Sequence, residues 1–180
     1  MHSDDAAVLH GLEERLLAAG LPTRVIPPTD DTPFHSLVVR LAPLGPDEGT
    51  VDLQLSWLPL PEAVAASGAR VLQAFVELTT ALAPGAAAEL SELVSRLDLV
   101  LPLGAFGVGG GGRFLYFKHN ALYLEGPSVA DEVQHLDRAV GFYYFELNLF
   151  LAPLLAVARG ELGAAQALAR PPFDALVPRS

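Results

Sequence analysis

Asp131, Glu132 and His135 fall within one predicted helical turn, and the spacing from Glu132 to His135 is half of the pattern that holds a di-iron pair in a helical bundle. The other half would be a second such motif with further glutamates on neighbouring helices, and the sequence contains neither. The three residues therefore read as a solvated helix face, and no metal is expected. A second candidate, Gly107-Val108-Gly109-Gly110-Gly111-Gly112, has the glycine content of a phosphate cradle. Such cradles open a helix whose first N–H groups face the phosphates. Here Arg113-Phe114-Leu115-Tyr116-Phe117 follows, a strand pattern without Gly-Lys-Ser/Thr, so the run predicts a hairpin turn. His2, His10, His35 and His119 have no ligand-like spacing. Cysteine is absent, which removes disulfides, thiolate nucleophiles and thiolate zinc sites. Gly-x-Ser-x-Gly never occurs. The chain reads as a non-enzyme, with no catalytic residue and no cofactor.

The charge balance narrows the partners. Eleven Lys and Arg against 21 Asp and Glu give a formal charge of -10, with a pI near 4.8. That field repels polyanions and attracts a basic partner. Tyr116, Tyr123 and the nearby phenylalanines could imitate an RNA-stacking strand, but without a basic field they read as core. Arg24, Arg40, Arg70 and Arg113 fall on predicted strands and leave a local basic sheet face open. Hydrophobic residues make up 51% of the chain and mean hydropathy is +0.37, a globular composition that also needs apolar surface covered. The first residues lack the basic and apolar segments of a signal peptide. The most apolar stretch, 142–158, carries Glu146, Asn148 and Pro153 and is shorter than the ~20 residues of a membrane span. A cytoplasmic protein with no direct nucleic-acid or membrane contact is expected.

Periodicity supplies the elements. Ser3 can cap a helix over 4–19, with Asp4 and Asp5 in its first turn and Val8, Leu9, Leu12, Leu16 and Leu17 on one face. Strands are expected over 21–26, 34–41 and 51–57, the last two alternating apolar and polar. Residues 69–80 lean towards a fourth strand, although their surroundings also fit a helix. Leu90, Leu93, Val94 and Leu97 mark a helix over 86–97. Residues 102–108 and 113–125 follow as strand and strand, and Ser128 with Asp131 caps a last long helix. The expected fold is α+β, an antiparallel β-sheet packed with helices in the order α-β-β-β-β-α-β-β-α. One domain spans 1–160, and a tail over 161–180 has little regular structure beyond Arg170.

The last helix is the most informative. Val129, Val133, Leu136, Val140, Tyr144, Leu147, Leu151 and Leu154 form one stripe that should sit on the sheet. The opposite face begins polar and then turns to Phe142, Phe145 and Leu149. A helix apolar on both sides must be covered on both sides, here by a second copy, a client protein or the chain's own tail. Glu146 lies within this group. It either points to the wet edge, pairs with an arginine, or acts as a polar specificity element of an interface.

Val71-Leu72-Gln73-Ala74-Phe75-Val76-Glu77-Leu78, Leu101-Pro102-Leu103-Gly104-Ala105-Phe106-Gly107-Val108, Phe114-Leu115-Tyr116-Phe117-Lys118 and a long final helix ending near Arg159-Gly160 carry a resemblance. Over about 71–160 the chain resembles the YbjN family, related in fold to the chaperones of type III secretion systems. Asp98 stands where the family pattern tends to place Asn. The resemblance implies an α+β sandwich, a homodimer, a protein client held without nucleotide, and a sensory or stress-response role. With the acidic charge and the two-faced helix, it points to a chaperone-like adaptor for a basic or amphipathic client. A small-molecule-sensing regulator, with a pocket between sheet and last helix, is the alternative.

Overall fold

The structure, a computed structural model, describes residues 3–30, 32–124 and 126–176. Helix α1 (Ser3–Ala18) leads into strands β1 (Thr23–Ile26), β2 (Ser36–Leu44) and β3 (Gly49–Leu58). A single turn α2 (Glu62–Ala65) precedes β4 (Ala69–Thr79), and α3 (Ala86–Leu97) precedes β5 (Ala105–Gly109) and β6 (Phe114–Leu124). Helices α4 (Val129–Ala158), α5 (Ala164–Leu168) and α6 (Phe173–Leu176) close the chain. The protein is α+β. Its six strands make one antiparallel sheet, in the order β1-β2-β3-β4-β6-β5, packed with helices.

Alternation sets the two faces of the strands. Leu37, Val39 and Leu41 are buried while Arg40 is exposed, and Leu53, Leu55 and Trp57 are buried while Asp52 is exposed. Residues 69–80 follow the same rule: Arg70, Leu72, Ala74 and Val76 point inward along β4. Register pairs Thr23 with Val39, Leu55 with Ala74 and Phe106 with Phe117.

Two compact units divide the chain, each assembled from three stretches. In the first (Met1–Leu41, Asp52–Phe75, His119–Phe142), α1 lies against β1 and buries Val8, Leu9, Leu12 and Leu16. Leu17, expected on the same face, is 51% exposed, since it lies about 100° round the helix from Leu16. The cap expected at Ser3 lies outside the described side chains. In the second (Ala42–Val51, Val76–Lys118, Tyr143–Ser180), α3 packs against β5 and α5, burying Leu90, Leu93 and Leu97. Phe106 meets Phe117 and Phe150 edge-on, with centroids 5.3 and 6.3 Å apart.

The glycine run is the predicted turn. Gly110, Gly111 and Gly112 have φ of 60°, 69° and 88°, three successive left-handed residues that only glycine adopts without strain. Gly107 and Gly109 lie beneath the rings of Tyr116 and Phe114, which a Cβ at either position would strike. The α4 cap also forms: Ser128 Oγ donates to Asp131 Oδ2 at 2.7 Å and accepts from Asp131 N at 3.2 Å.

The expected α4 stripe needs one correction. Tyr143 is the buried tyrosine, in ring contact with Phe117, whereas Tyr144 is half-buried and donates its hydroxyl to Pro43 O at 2.7 Å. A phenol can leave the core when its oxygen finds a carbonyl, which helical spacing alone does not register. By length and composition α4 could cross a membrane, but Leu136, Val140, Leu147 and Leu154 are buried within the protein.

The tail is also more ordered than expected. Ala164 N, at the start of α5, donates to Glu89 Oε2 at 2.6 Å, and Gly163 N donates to Gln166 Oε1 at 3.0 Å. Phe173 of α6 is fully buried and stacks on Phe150 with centroids 5.5 Å apart. Helices of four or five residues are too short to show a period, so only the aromatic betrays them. Phe173→Ala should destabilise the protein by about 3–5 kcal/mol, read as an earlier denaturant midpoint. A loss below about 1 kcal/mol would mean that the tail is not part of the core.

Candidate functional site

The inward phase of β4 carries an arginine. Arg70 is 8% exposed; its Nη1 donates to Asp5 Oδ1 at 2.8 Å and its Nη2 to Glu132 Oε1. Asp5 (7% exposed) comes from α1 and Glu132 (4%) from α4. The guanidinium lies 4.6 Å from the centre of the Trp57 ring, a cation–π distance. Tyr123 meets the same indole at 77°, with centroids 5.3 Å apart. Burial opposes the charge on Arg70, yet the hydrogen bond to Asp5 and the charge of Glu132 outweigh it and hold the pKa above its usual value. Burial, followed by the negative charge of Glu132, pushes the Tyr123 phenol up to about 12.

This cluster corrects one expectation and answers one question the sequence left open. Asp131 and His135 are solvated, but Glu132 is inside, on a helix face read as wet. The basic sheet face that the sequence left open is not built by three of its four arginines. Arg70 is buried, Arg40 pairs with Asp52 at 2.9 Å, and Arg113 lies in the β5–β6 turn with its Nε on Gly110 O. The signal for both was present: Arg70 is in phase with Leu72 and Ala74, and Glu132 is four residues before Leu136.

Beside the cluster, within the first unit, is a cavity of about 350 Å³. Pro33, Phe34, Leu58, Pro59 and Leu60 give it apolar walls, and Asp5, His35, Trp57 and Arg70 supply polar groups. No lining residue comes from α4. Trp57 Nε1, His35 Nδ1 and Arg70 Nε are buried without a hydrogen-bond partner among the described residues. Sequence reading passed over this constellation, whose members are scattered from residue 5 to residue 70 without a motif.

The helix residues singled out from the sequence fall into two groups. Phe142 is 48% exposed and Phe145 58%, and Leu149 is partly buried. Glu146 is 1% exposed, neither at the wet edge nor paired with an arginine. Its Oε1 accepts from Leu103 N at 3.2 Å, and its Oε2 is unpartnered. Burial pushes this carboxyl up to about 7, only partly offset by the Leu103 hydrogen bond. No protein-family model, curated protein or solved structure matches the chain.

Two outcomes follow from these geometries. Arg70→Met should cost roughly 3–5 kcal/mol at pH 7, since two buried carboxylates lose their counter-charge. A loss below about 1 kcal/mol in denaturant titrations would overturn this account. For Glu146 the sign is opposite to that of an ordinary salt-bridged acid. Its folded pKa is raised, so its contribution is fully present below about 4.5 and is lost as pH rises through about 7. Glu146→Gln should therefore melt above the parent protein at pH 8 and together with it at pH 4.5; the reverse order at pH 8 would refute the assignment.

Proposed function

We propose that the protein is a non-catalytic, cytoplasmic, chaperone-like adaptor that acts as a homodimer on a basic or amphipathic client, in a stress response. The carrying observation is the pair Phe142 and Phe145, about half exposed on a helix whose other sides are largely buried. Burying a phenylalanine is worth ~1.5–3 kcal/mol, so covering the pair provides a strong drive to associate. Among the described residues the pair stays about half exposed, and the tail's aromatic anchor Phe173 stacks on Phe150. Glu146 is withdrawn from this surface, which leaves the contact role to Phe142, Phe145 and Leu149. The charge of -10 favours a basic client, and the resemblance to the YbjN family supports the same reading.

The two associations respond oppositely to salt. Two copies of a -10 chain repel, so added salt should tighten the homodimer, whereas it should weaken binding of a basic amphipathic peptide. Light scattering at micromolar concentration should return twice the 19.0 kDa chain mass for the parent protein. The double variant Phe142→Ser, Phe145→Ser should return one chain mass and keep a cooperative thermal transition. A monomeric parent, or a double variant that still dimerises, would refute the interface. Peptide affinity that does not fall with salt would refute the basic client.

A further inference from the structure

We propose that Glu13 and Asp98 guard the two edges of the sheet, each occupying an outward backbone N–H that another extended chain, a second copy above all, would need for strand pairing. The order β1-β2-β3-β4-β6-β5 leaves β1 and β5 with one unpaired side each. Such an edge is a template for strand addition, and natural sheets blunt it with charges, short strands or a covering helix.

The ladders give the direction of each N–H. In an antiparallel pair a residue's N–H and C=O both face the partner strand or both face away, in alternation. In the first unit, Arg40 N donates to Pro22 O at 2.8 Å, so residue 22 faces β2 and, by alternation, Thr23 and Val25 face away. Val25 N donates to Glu13 Oε1 of α1 at 2.7 Å, and the other oxygen of Glu13 meets His10 Nδ1 at 3.3 Å. In the second unit, Phe106 stands opposite Phe117 of β6, yet its N–H donates to Asp98 Oδ1 at 2.9 Å. That N–H therefore faces away from β6. Asp98 is the residue that caps the end of α3. Both edges thus share one device, an acid carried on the helix that precedes the edge strand.

The need is plainest at β5. Ala105-Phe106-Gly107-Val108-Gly109 carries neither charge nor proline, so nothing on the strand itself discourages pairing. Strand β1 is only four residues long and has Arg24. Nor is the Asp98 charge kept for stability. Burial raises its pKa, only partly offset by the Phe106 hydrogen bond, so the ionised form is disfavoured in the folded chain. An ionised carboxylate accepts only, so an incoming carbonyl finds the donor taken and meets another acceptor. The assignment does not depend on the adaptor reading, and it stands if α4 makes no homodimer.

Amide hydrogen exchange on the full-length protein, labelled with nitrogen-15, reports each edge separately. Glu13→Ala should speed exchange at Val25 at least ~10-fold and leave Phe106 unchanged, and Asp98→Ala should do the converse. Over a rising concentration series, light scattering should show each alanine variant gaining mass beyond the parent, with an infrared signal of intermolecular β-sheet. Glu13→Gln and Asp98→Asn keep an acceptor oxygen and should hold the parent's mass. General loss of stability would speed exchange at both edges together. That result, unchanged exchange at a variant's own edge, alanine variants at the parent's mass, or amide variants that associate as readily as alanine ones would each overturn the proposal.

Discussion

A guanidinium out of water is tolerable only when its charge is answered, and Arg70 is answered by carboxylates 65 and 62 residues away in the chain. Asp5 arrives on the first helix and Glu132 on the longest one, so β4, α1 and α4 must all meet at this point of the first unit. Apolar residues in place of a buried ion cluster are often as stable or more so. What the cluster supplies is register. Sliding α1 or α4 by one turn along the sheet would leave a buried charge alone, so one arrangement is selected among several that would bury similar apolar area. The same closure brings Asp5 and Arg70 to the cavity wall and sets the guanidinium over Trp57.

Much of this architecture was legible because it rests on local period. Helix α3 appears over the expected residues, 86–97, because Leu90, Leu93, Val94 and Leu97 repeat on one side. Alternation in β2 and β3 announces their buried faces residue by residue. The glycine run reads as a turn because a strand, not a helix, follows it. Even the ambiguous segment 69–80 resolves as a strand, where Val71, Phe75 and Val76 favour extended backbone.

The illegible parts depend on partners far along the chain. Glu132 beside Asp131 and His135 looks like any wet helix face until Arg70 is placed opposite. An arginine in the apolar phase of a strand looks like a basic sheet face until two acids are found for it. The cavity is less legible still, since its wall is drawn from α1, the residues before β2, the end of β3, α2 and the start of β4. No spacing rule links Asp5, His35, Trp57 and Arg70. The tail fails for a different reason: two short helices and one buried phenylalanine are below the length at which a period can be seen.

One turn of α4 inverts the usual pattern. Between residues 142 and 146 two phenylalanines face outward while the carboxylate of Glu146 is turned inward, with one oxygen unmatched. Both choices are costly to an isolated chain. The phenyl groups forgo much of their burial, and the carboxyl is driven up to about 7 by its surroundings. Exchanging the two kinds of residue would remove both costs without touching the neighbouring core at Val140, Leu147 or Phe150. Local rules are broken here in opposite senses on adjacent positions, which the proposed contact surface would account for. In the association proposed above the outward phenylalanines would be covered, and the inward carboxyl of Glu146 stays out of the contact. The polarity of that turn, rather than the amount of apolar area, is what gives α4 its second face.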